Sequence, residues 1–457
     1  MRFINSAITT IIFKALAMFS GLAASIVIAR VLGPEGRGVY ALIMTIIVLA
    51  ASFGVFGLTA SNTYFVAHDK SMARTIGFQS LIVGLLGTAL SIATIFVVKL
   101  FSPGTFQGLS SEILWLSIAL IPLFLWGNLF AFAYLGRGRI VAFNSFETGQ
   151  RVIFFGLSVL LLWFFGRHFE SYLTMVLVCT ALLVCSYIIN YFRNISAGPI
   201  YQSGYSSKSL SYGIKSYVAT MLTLAVMRSG ILFVNNFGGN QDAGYFAVAQ
   251  QISELVIIIP TIVGTLLFGR VSKGDSSNLT PMVMRTIAAI FLPISVVMFL
   301  GGDWLIVTIF GNEFVNSILP FKILLPGAFL LGLEVIIAND IAGRGYPWPA
   351  VLAWIPVLVI NVIGFAIFIP KFGVTGAAIS MSVSFLVIFL IMTSYYLKLS
   401  KFRLSEILII KGEDLKILMS RLTSLVSGKF SVSRKESKSA DQAIPDKIKT
   451  EIQSVGR

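Results

Sequence analysis

From Ser6 to Val66 the chain runs as a long apolar stretch, a short polar turn and a second apolar stretch. The turn reads Gly33-Pro-Glu-Gly-Arg-Gly38, four helix breakers within six positions. Each arm exceeds the roughly 20 residues that an α-helix needs to cross hydrocarbon. The pair therefore predicts a transmembrane hairpin. The same reading along the chain predicts twelve spans, at 6–31, 38–66, 76–100, 113–135, 146–165, 171–192, 214–237, 244–268, 282–300, 318–340, 349–369 and 374–397. Backbone groups in lipid must be satisfied within their own segment, so these spans are read as helices.

The hairpin recurs. Gly33 to Ala41 aligns with Gly239-Asn-Gln-Asp-Ala-Gly244-Tyr-Phe-Ala247, where Gly38 and Gly244 are 206 positions apart. Gly136-Arg137-Gly138 at the end of span four aligns with Gly343-Arg344-Gly345 at the end of span ten, an offset of 207. Two landmarks agreeing to one residue predict an internal repeat of six spans. Six is even, so both halves enter the membrane in one direction and are related by a pseudo-twofold along its normal, with the substrate site between them. The expected organisation is a six-helix lobe at 1–196, a linker at 197–213, a second lobe at 214–400 and a basic tail at 401–457. The fold class is all-α integral membrane, two lobes set in a V.

Composition agrees with this class. Hydrophobic residues make up 56% and charged residues 12% of the 457 positions, and no soluble domain of that length carries so little charge. The first apolar stretch is too long and lacks the small-residue site of a cleaved signal, so it is read as the first span. If the amino terminus is cytoplasmic, thirteen Lys and Arg fall in inner loops against six in outer ones, which places both termini inside. Arg151 is counted among the inner thirteen. The tail adds twelve Lys and Arg against seven acids, so the net charge of +15 needs no nucleic acid to explain it. Within it, 404–425 has helical apolar spacing with lysines between, which suits a helix on the anionic inner leaflet. The Ser- and Lys-rich stretch after Gly428 cannot bury a core and is read as disordered.

No nucleotide-binding run is present, and Gly33-x-x-Gly-x-Gly38 has the wrong spacing for a dinucleotide fingerprint. Two histidines and two cysteines, Cys179 and Cys185, offer no metal site, and no cofactor is expected. The chemistry must lie in the few ionisable residues inside spans, where charge is costly. Lys14 lies about 12 Å along span one and Arg228 about 20 Å along span seven. These spans are repeat equivalents, so the two cations are expected to face a common cleft. Asn235, seven residues after Arg228, shares its face. Such a stripe suits an anionic group such as a pyrophosphate, although each cation could instead pair with a carboxylate inside the bundle. Arg30 and Arg37 bracket the outer turn and act either as head-group ligands or as interfacial anchors. Glu254, Glu334 and Asp340 are candidates for ion coupling, or structural partners of the cations.

Ala29-Arg-Val-Leu-Gly-Pro-Glu-Gly-Arg-Gly-Val-Tyr-Ala41 resembles the polysaccharide transporter family, the Wzx-type flippases of the MATE-like (MOP) superfamily. Gly239 to Ala247, and Lys371-Phe-Gly-Val-Thr-Gly-Ala-Ala378 at the start of span twelve, extend the likeness over roughly 1–400. The resemblance implies alternating access that carries undecaprenyl-pyrophosphate-linked oligosaccharide from the inner to the outer leaflet of the bacterial cytoplasmic membrane. The product would feed O-antigen, capsule or exopolysaccharide synthesis, with a polymerase and other assembly proteins as partners. The family's cationic cavity is similar to what Lys14 and Arg228 would make, while Ser229 stands where relatives often place an acid. Two other classes compete. A MATE-like exporter of small organic cations would want acids in the cavity. A membrane polymerase or glycosyltransferase would need a sizeable outer loop with carboxylates, and the longest outer loop expected here lies near 301–317.

Overall fold

The structure, a computed structural model, describes residues 2–163, 169–195, 198–201, 205–272, 279–346, 348–409 and Gly412. The helices, in chain order, are α1 (Arg2–Gly54), α2 (Leu58–His68), α3 (Ala73–Phe101), α4 (Ser111–Gly136), α5 (Ile140–Trp163), α6 (Phe169–Arg193), α7 (Tyr205–Val271), α8 (Leu279–Phe310), α9 (Ile318–Gly343), α10 (Trp348–Ser400) and α11 (Leu404–Leu408). Among the described residues eight continuous helices are long and apolar enough to cross a membrane. Three of these, α1, α7 and α10, are each broken by one glycine, at Gly33, Gly239 and Gly373. Each therefore supplies two arms, and with α5 the crossings number twelve. The second arm of α1 is continued by α2 after a break at Val55–Gly57, where Phe56 and Gly57 both take positive φ.

The chain reverses at Gly33. Ser25 on the first arm donates to Gln251 Oε1 at 2.6 Å, and Arg37 on the second donates to the same oxygen at 2.9 Å. Gly33 has φ 67° and ψ −171°, and Gly239 has φ 77° and ψ −173°. A side chain is disfavoured in this left-handed region, so the two turns need glycine. The nearly equal angles, 206 residues apart, carry the repeat into the backbone. At the opposite end of the bundle the same holds for the termini of α4 and α9. The amides of Arg137, Gly138 and Arg139 donate to the carbonyls of Ala133, Leu135 and Tyr134. Arg344, Gly345 and Tyr346 donate to Asp340, Ala342 and Ile341, each 207 residues on. Even the arginine packing repeats: Arg137 lies over Tyr191 at 5.4 Å and Arg344 over Tyr396 at 6.0 Å. We call these two ends of the bundle the glycine end and the arginine end.

The halves meet closely at the glycine end. A Cβ on Gly38 would lie 1.7 Å from the carbonyl oxygen of Asn240, and one on Gly244 would lie 1.9 Å from that of Pro34. Gly38 and Asn240 exchange with Gly244 and Pro34 under the 206-residue shift, so the pseudo-twofold axis passes between the two glycines. Toward the arginine end, α2 and the start of α7 touch again. A Cβ on Gly57 would meet the Gly213 carbonyl oxygen at 2.2 Å, and the hydroxyls of Ser61 and Ser209 lie 2.6 Å apart, both buried. The joint expected as a linker to 213 is thus helical from Tyr205.

Beyond α10 the chain docks on α8: Ile407 is fully buried, and Arg285 donates to the Glu406 carbonyl. The amphipathic stretch expected at 404–425 is described as helix over Leu404–Leu408, and beyond Ile409 all of it but Gly412 lies outside the described residues, as does the stretch after Gly428.

Candidate functional site

The first arm of α1 lies against α5. Thr148 Oγ1 donates to the Phe13 carbonyl at 3.0 Å, and Asn144 Nδ2 to Thr10 Oγ1 at 3.1 Å. This register sets Lys14 Nζ 3.3 Å from Glu147 Oε2, with both side chains at least half exposed. Arg151 stands one turn further along α5, on the same face as Glu147. Its guanidinium rests on Gly21, where an added Cβ would meet Nη1 at 2.8 Å. Gly21 therefore leaves the room that Arg151 occupies.

The second arm of α1 continues this line of charge. Arg37 is buried, lies 5.6 Å from the centre of the Tyr40 ring and donates to Gln251. Its Nε is buried and has no hydrogen-bond partner among the described residues. Tyr40 lies within electrostatic reach of both Arg37 and Arg151, and Arg37 within reach of Arg228. Arg228 in turn approaches Glu254 Oε2 at 3.5 Å across the two arms of α7. Gln250 holds that carboxylate by donating to Oε1 at 2.6 Å. The result is a strip, Lys14–Glu147–Arg151–Tyr40–Arg37–Arg228–Glu254, that passes from the first half of the chain to the second. Four cations face two carboxylates, leaving a formal charge of +2 in the bundle.

The strip is staggered in depth. At 1.5 Å per residue, Lys14 lies about 29 Å from the Gly33 turn, Arg228 about 17 Å from the Gly239 turn and Arg37 about 6 Å beyond Gly33. In depth the cations run from Lys14 near the arginine end, through Arg228, to Arg37 near the glycine end, so the strip rises to Arg37 and turns back to Arg228. An anion at any of these depths would lie near a positive charge, which would offset the desolvation an isolated anion would meet in the bundle.

The other residues singled out in the sequence lie elsewhere. Arg30 donates through Nε to the Ile309 carbonyl at 2.8 Å and through Nη2 to Thr308, closing the last turn of α8. Asn235 is fully buried and donates to the carbonyls of Thr105 and Gln107, which ties the turn after α3 to α7. Asp340 is fully buried, accepts from Arg344 Nε at 2.6 Å and from Thr280 at 2.6 Å, and so fixes the end of α9. Glu334 is buried in α9, and its Oε1 has no hydrogen-bond partner among the described residues. Glu147, Arg151 and Tyr40 are the members of the strip that sequence reasoning missed, and Arg151 is the cation among them. Counting it with the loop charges hid it, although Glu147 and Arg151, four apart inside a predicted span, were the signal.

Two repeated halves, glycine-broken helices and a charged strip between them define a polytopic transporter fold. The structure superposes on the lipid II flippase MurJ in an inward-closed conformation with a TM-score of 0.70, at 16% identity over 92% of each chain. An inward-facing multidrug resistance MATE family transporter of the MOP superfamily follows at 0.57, with 19% identity over 86% of this chain and 99% of that one. In sequence, a putative O-antigen transporter of Shigella flexneri is 23% identical over 78% of this chain and 88% of its own length. A probable low-salt glycan biosynthesis flippase of Haloferax volcanii is 25% identical over 40% of this chain, a match that spans only 39% of that relative. The model of the family described as polysaccharide biosynthesis protein matches residues 27–319, well over half of the chain. The chain belongs to that family, as a multi-pass membrane protein.

Proposed function

We propose that this protein is a flippase for lipid-linked oligosaccharide, working by alternating access and not as an enzyme. The observation that carries the reading is the staggered strip of Lys14, Arg151, Arg228 and Arg37. A diphosphate linking a polyprenyl chain to sugars is an anion of the right size to be passed along such a strip. The lipid chain stays in hydrocarbon between the lobes, 1–196 and 214–400, while the sugars occupy the hydrated cleft. No part of the head group then crosses hydrocarbon uncompensated. The positive-inside balance supports an orientation with the arginine end and both termini in the cytoplasm and the glycine end facing outward across a bacterial cytoplasmic membrane. The expected partners are polyprenyl-pyrophosphate-linked glycan, membrane lipid and the polymerase that consumes the exported unit. Glu254 holds Arg228, and Glu334, buried and with Oε1 unpaired among the described residues, is the acid best placed for ion coupling. The MATE-like neighbours admit export of small organic cations, which the +2 charge of the strip disfavours.

The test is Arg151→Ala and Arg228→Ala in cells that depend on this gene for surface glycan. Lipid-linked oligosaccharide should accumulate on the cytoplasmic leaflet and surface glycan should fall, at unchanged levels of folded protein. Full surface glycan in both variants would refute the reading.

A further inference from the structure

The two halves treat one pair of equivalent places differently. At the glycine end of the first half, the turn after α3 is sealed by three asparagines. Asn235 donates to the Thr105 and Gln107 carbonyls, Asn236 Oδ1 accepts from Ser102 at 3.0 Å, and Asn240 fills the space that Gly108 leaves open. The 206-residue shift maps these three to Ala29, Arg30 and Pro34. Alanine and proline have no side chain to donate, and Arg30 turns to the end of α8. The place that is filled in one half is hollow in the other, a cavity of about 540 Å³. That volume lies within the range of ligand sites.

The walls of the hollow come from three elements. The backbone of Val31 to Pro34 forms one side, Gln241 and Tyr245 on the second arm of α7 form another, and Glu313 from the turn after α8 forms the third. Glu35 stands at the rim, exposed to solvent. The Glu313 carboxylate leans over the turn, 2.9 Å from where a Cβ on Gly33 would lie. Gln241 Nε2 donates to the Tyr245 hydroxyl at 3.0 Å, which leaves that hydroxyl's own proton free to donate outward. The set is two carboxylates, an amide, a phenol and one arginine whose Nε and Nη2 already bond to backbone carbonyls. Its formal charge is −1, so it repels the diphosphate that the strip attracts. Carboxylate and amide oxygens beside an aromatic ring match the hydroxyls and C–H faces of a sugar.

We infer that this hollow is a sugar-binding subsite, separate from the cationic strip, that takes a neutral or amino sugar of the glycan head group. The inference rests on the flippase reading for its place in the cycle, at the exit on the outer side. The opposite charges of strip and hollow would orient the head group, with the diphosphate behind and the sugars leading.

The experiment is saturation-transfer NMR on the full chain in nanodiscs, with galactose, rhamnose, glucosamine, N-acetylglucosamine and N-acetylgalactosamine as probes. At least one sugar should receive transfer from wild type. The signal should fall by about fivefold or more in Glu35→Gln/Glu313→Gln, the net worth of one or two hydrogen bonds. It should also fall in Gln241→Trp, which fills the hollow, and persist in Arg151→Ala. No transfer to any sugar, equal transfer in both pocket variants, or displacement of the sugar by inorganic pyrophosphate would each overturn the assignment. Transfer that persists while Arg151→Ala cells export normally would retain the subsite and reject the flippase reading instead.

Discussion

Lys14 and Glu147 form an ion pair that adds little to the stability of the fold. Their side chains are 57% and 50% exposed. An ion pair so exposed contributes at most about 1 kcal/mol to folding. Removing the charge should therefore leave the fold intact and tell on transport. Lys14→Gln should lower surface glycan by about tenfold if the site loses about 1.4 kcal/mol of anion binding, and Lys14→Arg should retain part of the activity because the charge survives. Glu147→Gln should leave export near wild type, since it only frees Lys14. Equal export by Lys14→Gln and wild type at matched expression would make Lys14 structural. At this scale the sequence was partly legible. Lys14 and Arg228 stood out because each is one charge in an apolar stretch. Arg37 was read as part of the turn, and only the fold shows it buried behind Gln251. Asn235 shares the face of Arg228 by helical spacing, but near the Gly239 turn that face meets the loop after α3, so packing decides its partner.

Among elements, the glycine-broken helices carry the architecture. Gly38 and Gly244 are required by a close approach of backbone to backbone, since a methyl group on either would lie within 2 Å of a carbonyl oxygen. The obstacle cannot rotate away, so the helices must part. Gly38→Ala and Gly244→Ala should each cost about 1–3 kcal/mol, the usual range for overpacking, seen as a lower melting temperature in detergent. Gly156→Ala, inside α5 with open space around its Cβ, is the control and should melt at or above wild type, since alanine favours a helix over glycine. Equal melting of all three variants would mean that the crossing is looser than it stands here. Gly33 and Gly239 were legible as turn residues, and their repeat made the two-half plan visible in the sequence itself. The break at Phe56–Gly57 was not legible, because a positive φ at phenylalanine follows from packing against α7 and leaves no trace in composition. The helical start of α7 at Tyr205 was hidden in the same way by its serine- and glycine-rich surroundings.

For the whole molecule, alternating access as proposed would need the seam between the halves to open. Ser61 and Ser209 are buried and their hydroxyls are in contact. In a background with Cys179 and Cys185 replaced by serine, Ser61→Cys/Ser209→Cys should cross-link on oxidation, stop export and recover it under reductant. Export that survives complete cross-linking would show that this seam stays shut throughout the cycle. Truncation after Gly428 should leave export unchanged, and its loss at normal protein levels would give the tail a part in transport.

The two contacts along this seam differ in kind. At the Gly38–Gly244 crossing, backbone lies on backbone with no side chain able to yield. At Ser61–Ser209, one hydrogen bond worth about 1 kcal/mol holds the surfaces together. The first has the properties of a fulcrum and the second those of a latch. They are separated by about 30 Å of helix, so a tilt of about 10° at the glycines would part the serines by about 5 Å. A small rotation where the packing is stiffest would become a wide opening where it is weakest, and would give the arginine end a large stroke at little cost in buried contact.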